Sequence, residues 1–261
     1  MSAEFSARAW DLAYRRVVGH AFRRVPFYRD QWVAAGRALD EPEPTPSAAL
    51  AGQLHRLCPF ARPFDPAGEP SLWIGEARIL REALTLVGAP RRTPVLEVRP
   101  AVLDRRTLGP GGPRYGVLLG PDAKVVNEAR RRALNAEALE LATTAGRAVV
   151  VGDRQALDEV LPRLDGVDVT TVERVSLAQA AAGENGTLVH DPHLGYFAGR
   201  ASCGRIHLLW RRFHARRAGQ VTTVSALRRR PVLVDVIPDD PPSGHTPGTC
   251  PEHGTPIISP L

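Results

Sequence analysis

The chain has 261 residues, 43% apolar and 24% charged, an ordinary globular composition with enough length for a substantial core. No stretch approaches the roughly 20 apolar residues of a membrane span, and the opening MSAEFSARAWDLAYRR has no apolar signal region, so no membrane partner and a cytoplasmic location are expected. The net charge of +6 is carried almost wholly by arginine, Lys124 being the only lysine, and no zinc-finger, RRM or KH signature accompanies it, so no nucleic-acid partner is expected.

Taken in chain order, residues 3–24 carry Phe5, Ala9, Leu12, Ala13, Val17 and Ala21 at helical spacing, and Pro26 stops that helix. A short helix follows around 30–35. Residues 40–46 (DEPEPTP) form a proline-rich link, and residues 47–57 read as helical. Leu80, Ala83, Leu84 and Val87 make one stripe, predicting a helix over 76–87 that Gly88 ends. From residue 94 the texture alternates. Strands at 95–98 and 115–120 flank the loop LGPGGP, then a helix over 124–144, a strand at 147–152, a helix over 154–164, a strand at 167–173 and an alanine-rich helix follow. That alternation predicts an α/β layer with parallel strands. Beyond residue 204 the segments RIHLLWRRFHARR, QVTTVSAL and RPVLVDVIP are strand-like, predicting an antiparallel sheet or small barrel. The expected organisation is an α/β protein in three parts: a helical arm and linker over 1–46, an α/β core over 47–204, and a C-terminal β subdomain over 205–261.

Four constellations could carry chemistry. Cys203 and His207, with Cys250 and His253, form two short-spaced pairs about 45 residues apart, each able to bite one metal ion and together able to complete a tetrahedral site. His55 and Cys58 compete as a ligand source, and ordinary loop residues are the plain alternative. His190, Asp191 and His193 share a turn suited to acid–base work, or simply to turn chemistry at Asp191–Pro192. Glu97 interrupts an apolar strand, where it is either a general acid/base or a glutamate that faces solvent or pairs with a nearby arginine (Arg99, Arg91 or Arg92). Gly109-Pro110-Gly111-Gly112 could approach a phosphate but lacks the following Lys and Ser/Thr, so a turn is favoured. The runs Arg130–Arg132 and Arg228–Arg230 read as solvated faces.

Four segments carry a family likeness: HAFRRVPFYRDQW (20–32), LGYFAGRASCGRIHLLW (194–210), RRRPVLVDVIPDD (228–240) and TCPEHGTPI (249–257). In this order they resemble phenylacetate–CoA ligases and related adenylate-forming proteins, which implies a reduced version of that family's N-terminal domain. The resemblance implies a structural zinc on Cys203, His207 and Cys250, with His253 in place of the usual second cysteine. It aligns Asp239 with a ribose-binding aspartate and Tyr196 with an acyl-site tyrosine. The chain departs from the family in its missing Ser/Thr/Gly-rich phosphate loop and missing lid lysine, so ATP-dependent ligation is not expected.

Within that scaffold the chain is also similar to bacterial β-carboline-forming Pictet–Spenglerases. That likeness implies condensation of L-tryptophan with an α-oxo aldehyde without a catalytic cofactor. Glu97 would be the acid/base, Arg78, Arg81 or Arg91 would hold the substrate carboxylate, and Tyr196 and His193 would line the site. The partners implied are a small aromatic amino acid and an aldehyde. Trp10, Phe27 and Tyr28 read as exposed aromatics and suggest a homodimer. Two other classes fit the sequence: a non-catalytic partner or ligand-binding module of a ligase, and an acyl or aryl transferase using CoA thioesters at His190 and His193.

Overall fold

A computed structural model describes residues 4–37, 41–58, 77–102, 114–125, 127–227, 231–242 and 244–260. The glycine loop at 109–112, the arginine run at 228–230 and the predicted helix start at residue 76 lie outside these residues.

Helix α1 spans Ala7–Arg24, with Ser6 Oγ accepting from the Ala9 N–H at its start. Val25 adopts an extended conformation before Pro26, which opens helix α2 (Pro26–Ala34), so one proline both ends the first helix and begins the second. Strand β1 (Thr45–Pro46) follows, then two short 3-10 turns at Ser47–Leu50 and Leu54–Arg56 in place of the single helix expected there. Gly52, at φ 72°, divides them. Helix α3 (Ala77–Leu86) buries Leu80, Ala83 and Leu84 of the predicted stripe together with Ile79, and it ends one residue short of the half-buried Val87.

The α/β layer is built from β2 (Val95–Val102), β3 (Tyr115–Val125), α4 (Glu128–Ala145), β4 (Arg147–Gly152), α5 (Arg154–Val160), β5 (Asp168–Val175), α6 (Leu177–Ala182) and β6 (Leu188–Asp191). Helix α4 begins later than expected because β3 continues to Val125 in register with Val102, and Asn127 then supplies the cap. Gly146, in the left-handed conformation, closes the helix. Strands β2 to β6 are parallel and lie in the spatial order β3-β2-β4-β5-β6. That is the second-first-third-fourth-fifth order of flavodoxin-type sheets, whose crevice lies at the strand carboxyl ends between the first and third strands.

The remaining strands are β7 (Gly195–Arg200), β8 (Ile206–Leu208), β9 (Phe213–Ala218), β10 (Val221–Ala226), β11 (Val236–Ile237), β12 (His245–Thr249) and β13 (Pro256–Pro260). Strands β7, β8, β13 and β12 extend the parallel sheet antiparallel-wise to nine strands, while β1, β11, β10 and β9 form a separate four-stranded sheet. The main sheet therefore runs on past residue 204. Residues 231–235 are buried but irregular, unlike the strand predicted over them. Asp235 sits at φ 47°, outside the extended region, and only Val236–Ile237 joins the ladder.

Leu96, Val98, Leu118 and Val150 pack against α4 and α5 on one face of the sheet. Val95, Val149 and Val151 face the other core, with α1, α2 and α3. Helix α3 lies so close to β7 that a Cβ at Gly199 would meet Val87 Cγ1 at 3.2 Å. The aromatics that suggested a homodimer are used inside the chain: Tyr28 is fully buried, and Trp10 and Phe27 pack against the core. The four-stranded sheet is fastened to α1 through Asp235, whose Oδ2 accepts from Tyr14 at 2.9 Å and from Arg216 Nε at 2.9 Å. Among the described residues, no helix is long and apolar enough to cross a membrane.

Candidate functional site

Residues 95, 97 and 99 of β2 share one face by strand alternation, and the last two are charged. Glu97 and Arg99 are both buried, and Arg99 grips Glu97 Oε2 through Nε at 2.9 Å and Nη2 at 2.8 Å. The Tyr115 hydroxyl, from the neighbouring β3, also donates to Oε2 in a short bond and receives a bond from Arg99 at 2.8 Å. The Tyr196 hydroxyl donates to Glu97 Oε1 at 2.9 Å. Tyr196 lies on β7, with β6, β5 and β4 between it and β2, so the sheet curls enough to bring two distant strands face to face.

The network continues outward. Arg174 Nη1 reaches the Tyr196 hydroxyl at 3.5 Å, and its Nη2 donates to Asp153 at 3.1 Å. Burial opposes the charge on Arg174, but Tyr196, Glu97 and Asp153 offset that and hold it above the usual arginine range. Burial and Glu97 raise both tyrosines, keeping their hydroxyls protonated as donors. Asp153 and Arg99 both border a cleft of about 180 Å³ lined by β2, β3 and the residues that follow β4.

The ring of His190 meets Tyr196 edge-on, with centroids 4.9 Å apart. Burial, then the charges of Arg174 and Arg99, push it down from 6.5 to about 3, so it is neutral in the folded protein. Below pH 6.5 the unfolded chain takes up a proton that the folded chain refuses. Stability therefore falls as pH drops from 6.5 toward 3, by up to about 1.4 kcal/mol per pH unit for this group. Urea midpoints between pH 7 and 5 should show the decline, and His190→Gln should flatten it. The flattening is partial, because burial lowers His193 and His214 in the same direction.

His193 sits in a different arrangement. Its Nδ1 is 2.7 Å from Ser47 Oγ, and Ser47 donates to Asp191 at 2.8 Å. Asp191 also accepts from the N–H groups of His193, Leu194 and Asp239, at 2.8, 2.9 and 2.9 Å. With the serine proton committed to the carboxylate, this is a clasp holding three chain segments, not an activated nucleophile. Removing the carboxylate strands several donors, so Asp191→Ala should cost about 3–5 kcal/mol in denaturant unfolding. Asp239, expected from the resemblance to stand at a ribose-binding position, donates its backbone N–H to this clasp.

Of the three predicted carboxylate-binding arginines, Arg81 and Arg91 line a cleft of about 220 Å³ with Arg114 and Val95. Val95 is two residues from Glu97 on the same face, about 7 Å along the strand. Arg78 is exposed on α3 and is not among the residues lining that cleft.

The two Cys/His pairs do converge. The ligand atoms of Cys203, His207, Cys250 and His253 lie within 4.8 Å of one another and could hold a metal ion. Cys203 Sγ is 3.1 Å from His207 Nε2, and Cys250 Sγ is 3.4 Å from His253 Nδ1. The other nitrogen of His207 bonds Thr255 Oγ1 at 3.0 Å, the outer support that orients a metal-binding imidazole. Burial disfavours the Cys250 thiolate, yet hydrogen bonds from His253 and neighbouring groups bring it down to about 7. Among the described residues, His55 and Cys58 join no such group.

Tyr115 and Arg174 carry no motif and were not singled out from sequence; the only local signal for this cluster is the alternation that puts Glu97 and Arg99 on one face. No protein-family model matches this sequence, and no curated protein matches it.

Proposed function

We propose that the Glu97 cluster is the centre of an ATP-independent condensing and cyclising enzyme, with Pictet–Spengler condensation of L-tryptophan and an α-oxo aldehyde as the specific reaction. The observation that carries this reading is a buried carboxylate held by two tyrosine hydroxyls and a guanidinium beside an arginine-lined cleft. Buried ion pairs contribute little to stability compared with apolar packing, so retaining one in a strand centre points to a role in chemistry. The carboxylate of the amino acid would lie against Arg81, Arg91 and Arg114. Its amine condenses with the aldehyde, releasing water, and the indole attacks the resulting iminium. Glu97, with Tyr196 or Tyr115 yielding its place, takes the ring proton, giving a tetrahydro-β-carboline that dissolved dioxygen can aromatise.

The test is incubation of the protein with L-tryptophan and phenylglyoxal without ATP, followed by mass spectrometry and fluorescence of the carbolines. Glu97→Gln should lower the rate about a hundredfold or more. No product above background with wild type, or equal product with Glu97→Gln, sinks the reading. A second reading rests on the completeness of the pairing around Glu97: a non-catalytic scaffold in which the cluster fixes the curl of the sheet. It predicts that Glu97→Gln changes the melting temperature and that wild type forms no product.

In the same reading the Cys/His cluster holds a structural zinc ion. Two thiols and two imidazoles at this spacing match a closed four-ligand site, which leaves no position for substrate. The ion would fasten the β7–β8 and β12–β13 turns together.

A further inference from the structure

Away from Glu97, a cavity of about 970 Å³ lies between the N-terminal segment, α3, the β8–β9 turn and the turn that bears His253. Its volume is at the upper end for small-molecule sites. Phe5 and Trp210 line it and meet edge to face, with centroids 5.3 Å apart. The Arg211 guanidinium lies over the Trp210 ring at 4.9 Å, a cation–π contact. Leu86 and Leu209 add apolar surface. Polar side chains share the lining: Glu82 is held by Arg212 at 2.9 Å, and Thr85, His253 and Thr255 stand on the wall with them. A planar ring with a polar substituent meets both kinds of surface, the aromatic pair and the polar side chains beside it.

Thr255 has two roles, because the hydroxyl bonded to His207 Nδ1 belongs to a residue of the cavity wall. The turn is also closed on itself, with the Cys250 N–H donating to Thr255 O at 2.9 Å and the Gly254 N–H to Cys250 O at 2.8 Å. The Cys/His cluster therefore sets the position of one wall.

We propose that this cavity binds a planar aromatic small molecule bearing a polar group, and that the Cys/His turn holds one wall of the site in place.

Calorimetric titration of the full chain with indole tests this, with cyclohexanol as the aliphatic control. Neither titration contains an aldehyde or involves turnover, and Trp210→Ala, which alters this cavity and not the arginine-lined cleft near Glu97, separates it from the tryptophan site proposed there. Indole is expected to bind, and cyclohexanol to bind about tenfold more weakly. Trp210→Ala should weaken indole about tenfold by removing the stacking surface. Thr85→Trp, placed at an exposed helix position, should block the cavity while circular dichroism melting shows the fold intact. Cys250→Ser should also weaken indole, through the freed wall. Absence of indole binding, equal binding of cyclohexanol, or unaltered indole affinity in any of the three variants overturns the proposal.

Discussion

Arg99→Met is expected to destabilise the protein by about 3–5 kcal/mol, because it leaves the Glu97 carboxylate buried without its charged partner. The methionine roughly fills the space of the arginine stem, so lost packing is a small part of the effect. Two hydroxyls would remain on the carboxylate, from Tyr196 and Tyr115, and they compensate only partly for a guanidinium that donates twice. The double variant Glu97→Leu/Arg99→Met removes both charges and should recover much of the loss, since a buried ion pair adds little over an apolar pair of similar shape. Denaturant unfolding of the two single variants and the double variant measures the coupling directly. A single-variant loss below about 1 kcal/mol would mean that Glu97 reaches water when Arg99 is gone. If Glu97→Leu/Arg99→Met folds well yet forms no carboline from tryptophan and phenylglyoxal while wild type does, the cluster is there for chemistry.

Glu97 was legible in the sequence because a carboxylate inside VLEVRP breaks an apolar run, and alternation placed Arg99 on its side of the strand. Tyr115 and Arg174 were not, because they reach the cluster only through the pairing of β2 with β3 and the curl of the sheet, neither of which has a local signature. The contact with Tyr196 joins residues 99 positions apart. The order of elements between residues 77 and 191 followed from periodicity, which survives the local register shifts at Arg99/Ala101 and Val189/His190. The errors fall where one residue's backbone overrides a pattern. Asp235, at φ 47°, breaks an apolar run that reads as a strand, and its side chain is what stabilises that conformation, through bonds to Tyr14, Arg216, Thr223 and Ser225. The exposed-looking aromatics misled for a related reason: polar neighbours in sequence say nothing about the sheet that later covers Tyr28 and Trp10. The Cys/His pairs were legible because each bite is local, and only the meeting of the two pairs needed the fold.

Removing the zinc ion proposed for the Cys/His cluster is expected to be the second large perturbation. Purified protein should contain about one zinc per chain, Cys250→Ser should contain none, and a chelator should lower the melting temperature of wild type but not of the variant. Stabilisation by an ion that binds only the folded chain grows with its excess over Kd, reaching about 4 kcal/mol at a thousandfold excess. The loss should be concentrated at one end of the main sheet. Cys203 lies in the turn after β7, Cys250 and His253 lie in the turn between β12 and β13, and β8 pairs with β13 through His207 and Ile257. Strand β13 joins β8 through only two ladder pairs, so without the ion the β12–β13 hairpin should open before the strands at the centre of the sheet do. Hydrogen exchange after chelation should therefore accelerate in residues 203–208 and 245–260 while β2, β4 and β5 stay protected. Uniform acceleration across the sheet would show that the ion stabilises the whole fold, and no change anywhere would show that the four side chains hold no metal under these conditions. Because Thr255 links the cluster to the aromatic cavity, the same chelated protein should also lose indole affinity, tying the stability of the turn to occupancy of the site it walls.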